Sequence, residues 1–278
     1  MARILYLTDL YYPAKGRKYY EEDIFIAGRL MEHFDVALCH PKNSEAFEGS
    51  ADVIVFRNTG SVIGYMEIYR AFRERIKKNS LRTFNTFTGK ADMLGKDYLL
   101  ELTKLGFPVI PTVDCKSDIS LLPASDRYVI KPKDGADSIG LEFLSDEELS
   151  QRHIADHGHL IQPAVEFEYE VSFYFIDDKF EYAMYAPDKT KRWEMVPYHA
   201  SEEDIRFAQR FISWNSIKHG IQRVDACRTP DGELLLIELE DLNPYLSLLQ
   251  TEKDTQEKFI ADLVSALKTC MEEQTPEL

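Results

Sequence analysis

The stretch RVDACRTPDGELLLIELE, residues 223–240, holds charged side chains that a hairpin would gather. Side chains alternate across a strand, so Leu234, Leu236, Glu238 and Glu240 fall on one face and two carboxylates point the same way. Closing the hairpin through Thr229-Pro230-Asp231-Gly232 sets Arg223 opposite Glu238 and Asp225 opposite Leu236, with a bulge at Gly232 able to shift the register by one residue. Arg223, Asp225, Glu238 and Glu240 then converge. Carboxylates this close repel and raise one another's pKa unless cations lie among them. Magnesium bridging phosphate oxygens suits such a set, because it takes hard oxygen ligands from a few carboxylates and completes its shell with nucleotide and water. The competing reading is a solvated edge strand, for which LLLIELE is too apolar.

Cations come from elsewhere in the chain. Lys131 ends the apolar run YVIKP, and Lys133 and the loop Asp134-Gly135-Ala136-Asp137-Ser138-Ile139-Gly140 follow it. The amides of such a loop can approach phosphate as an anion-binding nest, although Lys-Pro before Gly also describes many surface turns. It is not a Walker A loop: Gly89-Lys90 is followed by Ala91, and Phe84 stands where the first glycine is required. Lys189, Lys191 and Arg192, in PDKTKRWEM, could clamp a phosphate or a carboxylate, with solvated surface as the plainer reading of the two lysines. His153, His157 and His159 hint at a transition metal but lie in a polar helix end beside Asp156 and read as surface. Cys39, Cys115, Cys227 and Cys270 form no CxxC pair, so each reads as a small buried hydrophobe. Tyr11, Tyr12, Tyr19, Tyr20 and Phe25 read as packing, as do Trp193 and Trp214.

The elements that must position these groups are legible from periodicity. RILYLTD, EEDIFIAGRLMEHF, FDVALCH, DVIVFRN and a helix from Val62 to Lys78 alternate strand and helix, which implies a parallel sheet with helical crossovers. A helix carrying Leu94, Leu99, Leu102 and Leu105 and stopped by Gly106 comes next, then strands PVIPT, RYVIKP, GLEFLS and HLIQPA. From Glu168 the pattern is antiparallel: EVSFYFI turns at Asp177-Asp178 into FEYAMYAP. A helix capped by Ser201 and Asp204 and closed by Gly220, the carboxylate hairpin and a helix from Lys253 to Met271 complete the chain. There is no internal repeat.

In order, Lys96 on a helix, Lys131 in VIKP, the glycine loop, LIQPAV, Glu170 in EYEVSF, and RVDACRTPDGELLLIELEDLNP resemble the ATP-grasp superfamily. Within it they look closest to carboxylate-amine ligases of the D-alanine-D-alanine ligase and glutathione synthetase kind. The resemblance implies an α/β fold with α+β parts: an N-terminal parallel-sheet domain at 1–88, a central subdomain at 89–160 and a C-terminal subdomain at 161–278. It implies that Lys96, Lys131 and Ser138 contact phosphates, that Gln162 and the backbone of Pro163, Ala164 and Val165 face adenine, and that Glu170 holds the ribose. Asp225, Glu238 and Glu240 would bind magnesium, and Arg223 and Lys131 would serve catalysis. The third metal ligand of these ligases is commonly Asn, where this chain has Glu240.

The expected reaction is attack of a carboxylate on the γ-phosphate of ATP, then capture of the acyl phosphate by an amine, with ADP and phosphate released. The cofactors would be ATP and two Mg2+ ions, with Mn2+ as a substitute. Small carboxylate and amine substrates would meet strand ends at Thr8 to Tyr12 and Arg57 to Thr59, with Arg57, Arg192 and Asn243 as candidate contacts. A small-molecule kinase and a non-catalytic nucleotide-binding protein are the alternatives. Acidic residues outnumber basic ones 48 to 33, a net charge of -15 that disfavours nucleic acid and anionic lipid. With 44% hydrophobic residues and no apolar run near the ~20 needed to cross a bilayer, the chain reads as cytoplasmic, with a homodimer as one assembly.

Overall fold

A computed structural model describes residues 1–10, 13, 14, 17–57, 65–133, 140–154, 156–192 and 194–273. The apolar run RILYL forms β1 (Arg3–Leu7), in which Ile4 to Leu7 are all buried, as a central parallel strand covered on both faces requires. It pairs in parallel with β2 (Asp35–Cys39) and β3 (Val53–Phe56), and β4 (Thr83–Phe84) extends the sheet beyond β3. Alternate residues of β1 face opposite helices: Ile4 and Tyr6 pack with α1 (Tyr19–Leu30), and Leu5 and Leu7 with α2 (Met66–Asn79).

An antiparallel sheet of three strands follows, in the order β6 (Glu142–Ser145), β5 (Arg127–Pro132), β7 (His159–Pro163), with α3 (Tyr98–Lys104) ahead of it and α4 (Asp146–Gln151) after β6. The remaining strands form an antiparallel sheet in the order β10 (Val196–Tyr198), β9 (Lys179–Ala186), β8 (Tyr169–Ile176), β11 (Ile221–Arg228), β12 (Leu234–Glu240). On one face of it lies α5 (Glu202–Asn215), whose Ala208, Phe211 and Ile212 pack with Phe173, Phe175 and Val224. The other face meets α6 (Lys253–Glu272): Phe259, Ile260 and Leu263 share one core with Tyr174 and Met184 and with Ile4 and Ile26. The last helix therefore ties the parallel sheet to the five-stranded one.

Several expectations change. The division at 160/161 cuts through β7, whose pairing with β5 keeps residues up to Pro163 with the central sheet. The leucine-rich helix is only α3, preceded by a 3-10 turn at Asp92–Leu94; Leu99 and Leu102 are buried, whereas Leu94 and Leu105 are exposed. Lys96 therefore sits in a turn, not on a helix. PVIPT forms a bridge rather than a strand, Val109 to Leu236, and Val113 just after it bridges to Ile161, so the 109–113 segment laces the two antiparallel sheets together. The capping box at Ser201 and Asp204 is present, but α5 ends at Ser216, in the left-handed region. Gly220 instead meets Asn85, where a Cβ would lie 2.8 Å from Cγ. Among the described residues, no helix is long and apolar enough to cross a membrane.

Candidate active site

The carboxylate hairpin closes one notch differently from the simple count. Arg223 stands opposite Glu240 and Asp225 opposite Glu238, while Ala226 pairs with Leu236, so Ile237 is the extra residue of a bulge. That bulge reverses the facing of the strand: Leu234, Leu236 and Leu239 enter the core, and Glu238 and Glu240 turn to the opposite side. The bulge thus lies at Ile237 rather than Gly232, and the leucines do not share a face with the glutamates. β12 is also the edge strand, covered where the 108–110 segment exchanges backbone hydrogen bonds with Leu236. Its apolar side chains belong to that covered, core-facing side.

The outcome is a compact oxygen cluster. Oxygens of Asp225, Glu238 and Glu240 lie within 4.8 Å of one another. Arg223 donates to Asp225 through Nε at 2.9 Å and Nη2 at 2.7 Å, to Glu240 through Nη2, and to the Tyr245 carbonyl through Nη1 at 2.7 Å. Ser172 Oγ donates to Asp225 Oδ1 at 2.6 Å. Burial pushes the Glu240 carboxyl up to about 7 against the opposing pull of Arg223, so this group needs a nearby positive charge to ionise fully. An all-oxygen donor set on two adjacent strands fits a hard divalent ion such as magnesium.

Across from it stand the lysines. The Lys96 ammonium contacts Glu238 and lies 3.5 Å from Asp92. Lys131, at the end of β5, is drawn down to about 8 by burial and by the charge of Lys96. Lys96 N also donates to the Lys133 carbonyl, tying this turn to the start of the glycine loop. Residues from the 92–96 turn, β11 and β12 therefore meet at one site.

The other expected residues divide. Ser138 lies outside the described residues, as do Tyr11, Tyr12, Asn58, Thr59 and Trp193. Gln162 is buried and its amide donates to Thr112 Oγ1 at 2.7 Å; the Ala164 amide donates to the Arg127 carbonyl at 2.9 Å, while Pro163 is buried and Val165 half-buried. Glu170 and Arg192, expected in separate roles, form one ion pair at 2.7 Å. Lys189 reaches the Phe167 carbonyl and Lys191 pairs with Glu194. Asn243 is half-buried in the segment after β12. Arg57 departs most from expectation: it is 1% exposed and bonds to Asp23, Glu22 and, at 2.6 Å, the Pro244 carbonyl. Its charge is consumed inside the fold, so it holds the segment after β12 rather than a substrate.

Three contributors have no motif. Asp92 stands beside Lys96, and Ser172 supports Asp225. Asp241 is completely buried, where it accepts from the amides of Ala91 at 3.1 Å and Met93 at 2.8 Å and from Asn215. An acidic residue directly after an apolar strand that ends in Glu was the only trace of Asp241 in the sequence.

No family model matches the chain. The cycloserine biosynthesis protein DcsG of Streptomyces lavendulae is 28% identical over 252 residues, 78% of this chain and 84% of its own. The crystal structure of D-cycloserine synthetase DcsG superposes with a TM-score of 0.71 at 19% identity, covering 98% of this chain and 100% of that one. D-alanine-D-alanine ligase from Bacillus anthracis, complexed with ATP, superposes at 0.67 and 12% identity, covering 98% and 99%.

Proposed function

The chain has the ATP-grasp fold, and from that premise we propose that it activates a small carboxylate with ATP and joins it to an amine, releasing ADP and phosphate. It is an ATP-dependent ligase of the carboxylate-amine kind. The observation that carries this reading is the contact of Lys96 with Glu238 at the oxygen cluster of Asp225, Glu238 and Glu240, with Arg223 bonded to Asp225 and Glu240. Positive groups there suit phosphate oxygens, and the carboxylates suit the cations that accompany them.

Asp225, Glu238 and Glu240 would hold magnesium, two ions with manganese as a substitute; when bound, it neutralises phosphate charge and aligns the nucleotide. Lys131 and Lys96 bind phosphate oxygens. Arg223, held in place by Asp225, Glu240 and the Tyr245 carbonyl, presents a fixed cation toward charge that grows during transfer. Because the cation is already oriented, little reorganisation accompanies the step. Gln162 and Ala164 border the adenine side, and Glu170 with Arg192 the ribose side. We infer a cytoplasmic location, where ATP is supplied.

The test is a screen of amino acids and small carboxylates for phosphate release, with hydroxylamine as the trapping amine. A hydroxamate together with ADP is expected. A stable phosphate ester, or AMP as product, would overturn the reading. Asp225→Asn and Glu238→Gln should fold normally and lose about 100-fold or more in turnover; full activity in both would refute the metal assignment.

A further inference from the structure

A second cluster of ligand-type side chains lies beside Lys133, just past the end of β5. Asp114 and Cys115 follow the bridge that joins Val113 to Ile161, and His157 precedes β7. The His157 amide donates to the Asp114 carbonyl at 3.0 Å, which clamps the two segments together, and His157 takes the left-handed conformation there. Ligand atoms of Asp114, Cys115 and His157 all lie within 4.8 Å of one another.

The geometry points to a binding site for a zinc-class divalent ion, held by the Cys115 thiolate, the His157 imidazole and the Asp114 carboxylate. Zinc with sulfur at ~2.3 Å and nitrogen or oxygen at ~2.0–2.1 Å sets tetrahedral edges of about 3.4–3.6 Å. Cys115 Sγ lies 3.6 Å from His157 Nδ1 and 3.8 Å from Asp114 Oδ1. The Nδ1 to Oδ2 hydrogen bond, 2.8 Å long, would be given up as the metal takes the proton's place, with Oδ1, the oxygen in contact with the sulfur, as the carboxylate ligand. His157 is 71% exposed at its side chain, so water has access to the fourth position.

The position of the sulfur separates this from a proton relay. The sulfur is 3.6 Å from Nδ1 and 3.7 Å from Nε2, aimed at neither nitrogen in particular, which does not suit proton transfer between thiol and imidazole. On metal binding the thiol proton leaves to solvent and the sulfur–metal bond forms in its place. Lys133 donates to Asp114 Oδ2 at 2.8 Å, the same oxygen that meets His157 Nδ1, and also pairs with Asp97, which leaves Oδ1 facing the sulfur. The histidine pattern read along the chain had the wrong companions: the ligand partner of His157 is a cysteine 42 positions away.

The experiment is a cobalt(II) titration of the whole protein in excess magnesium, which occupies hard oxygen sites. The expected result is a thiolate-to-cobalt absorption in the near ultraviolet, with tetrahedral visible bands, saturating at about one metal per chain and reversed by zinc. Cys115→Ser should abolish the absorption, His157→Asn should weaken binding about tenfold or more, and Asp225→Asn should leave it unchanged. Absence of the thiolate band in the unaltered protein, or its survival in Cys115→Ser, would overturn the site.

Discussion

At Lys131, burial and the charge of Lys96 both penalise the ammonium form, which brings the pKa down to about 8. A phosphate beside it favours the charged form again, so nucleotide binding is linked to proton uptake whenever the free group has begun to lose its proton. The sign follows: affinity is full below about 8 and declines as pH rises through it. KM for ATP should therefore climb above that pH, by up to about tenfold per unit, and Lys131→Arg should flatten the profile because guanidinium stays charged. A flat profile in the unaltered protein would show that Lys131 does not meet the phosphates. Arg223 differs: burial opposes its charge, but Asp225 and Glu240 hold it firmly protonated, and it acts as a fixed cation across the working range.

Among the elements, the short turn that carries Asp92 and Lys96 depends on one buried carboxylate. Asp241 accepts from the amides of Ala91 and Met93, and Gly89 approaches so closely that a Cβ there would lie 2.2 Å from Asp241 Oδ2 and 3.0 Å from both Ile217 and Met93. The carboxylate cannot swing aside without abandoning its hydrogen bonds. Gly89→Ala should then cost about 1–3 kcal/mol in urea unfolding and raise KM for ATP, because Lys96 is displaced with the turn. If neither changes, the close approach is relieved elsewhere. The bulge at Ile237 works at the same scale, since one extra residue lets a strand bury Leu234, Leu236 and Leu239 on one face and turn Glu238 and Glu240 to the other.

For the whole molecule, the tie between the parallel sheet and the site is ionic as well as apolar. Glu22 accepts from the amides of Leu246 and Leu248, Arg57 donates to the Pro244 carbonyl, and Asp23 binds Arg57, Tyr6 and Thr8. The segment so held supplies the Tyr245 carbonyl to Arg223. Removing one partner of a buried pair leaves uncompensated charge, so Arg57→Met should lose about 3–5 kcal/mol of stability. Unchanged urea unfolding would mean that the network is not coupled to folding.

Much of this architecture was present in local patterns. Alternating apolar strands and amphipathic helices specified the parallel sheet, and the capping box at Ser201 fixed the start of α5, because those signals act within a few residues. The carboxylates of β12 and the lysine after YVI were likewise visible as residue types at fixed spacing. What the chain alone left open required contacts between distant segments: the bulge at Ile237, the burial of Arg57 against a carbonyl 187 positions away, and the grip of Asp241 on the turn before α3. Sequence carries periodicity and charge, but whether a charged group faces a cleft or is spent inside the fold is decided by which partners tertiary packing brings within hydrogen-bond reach.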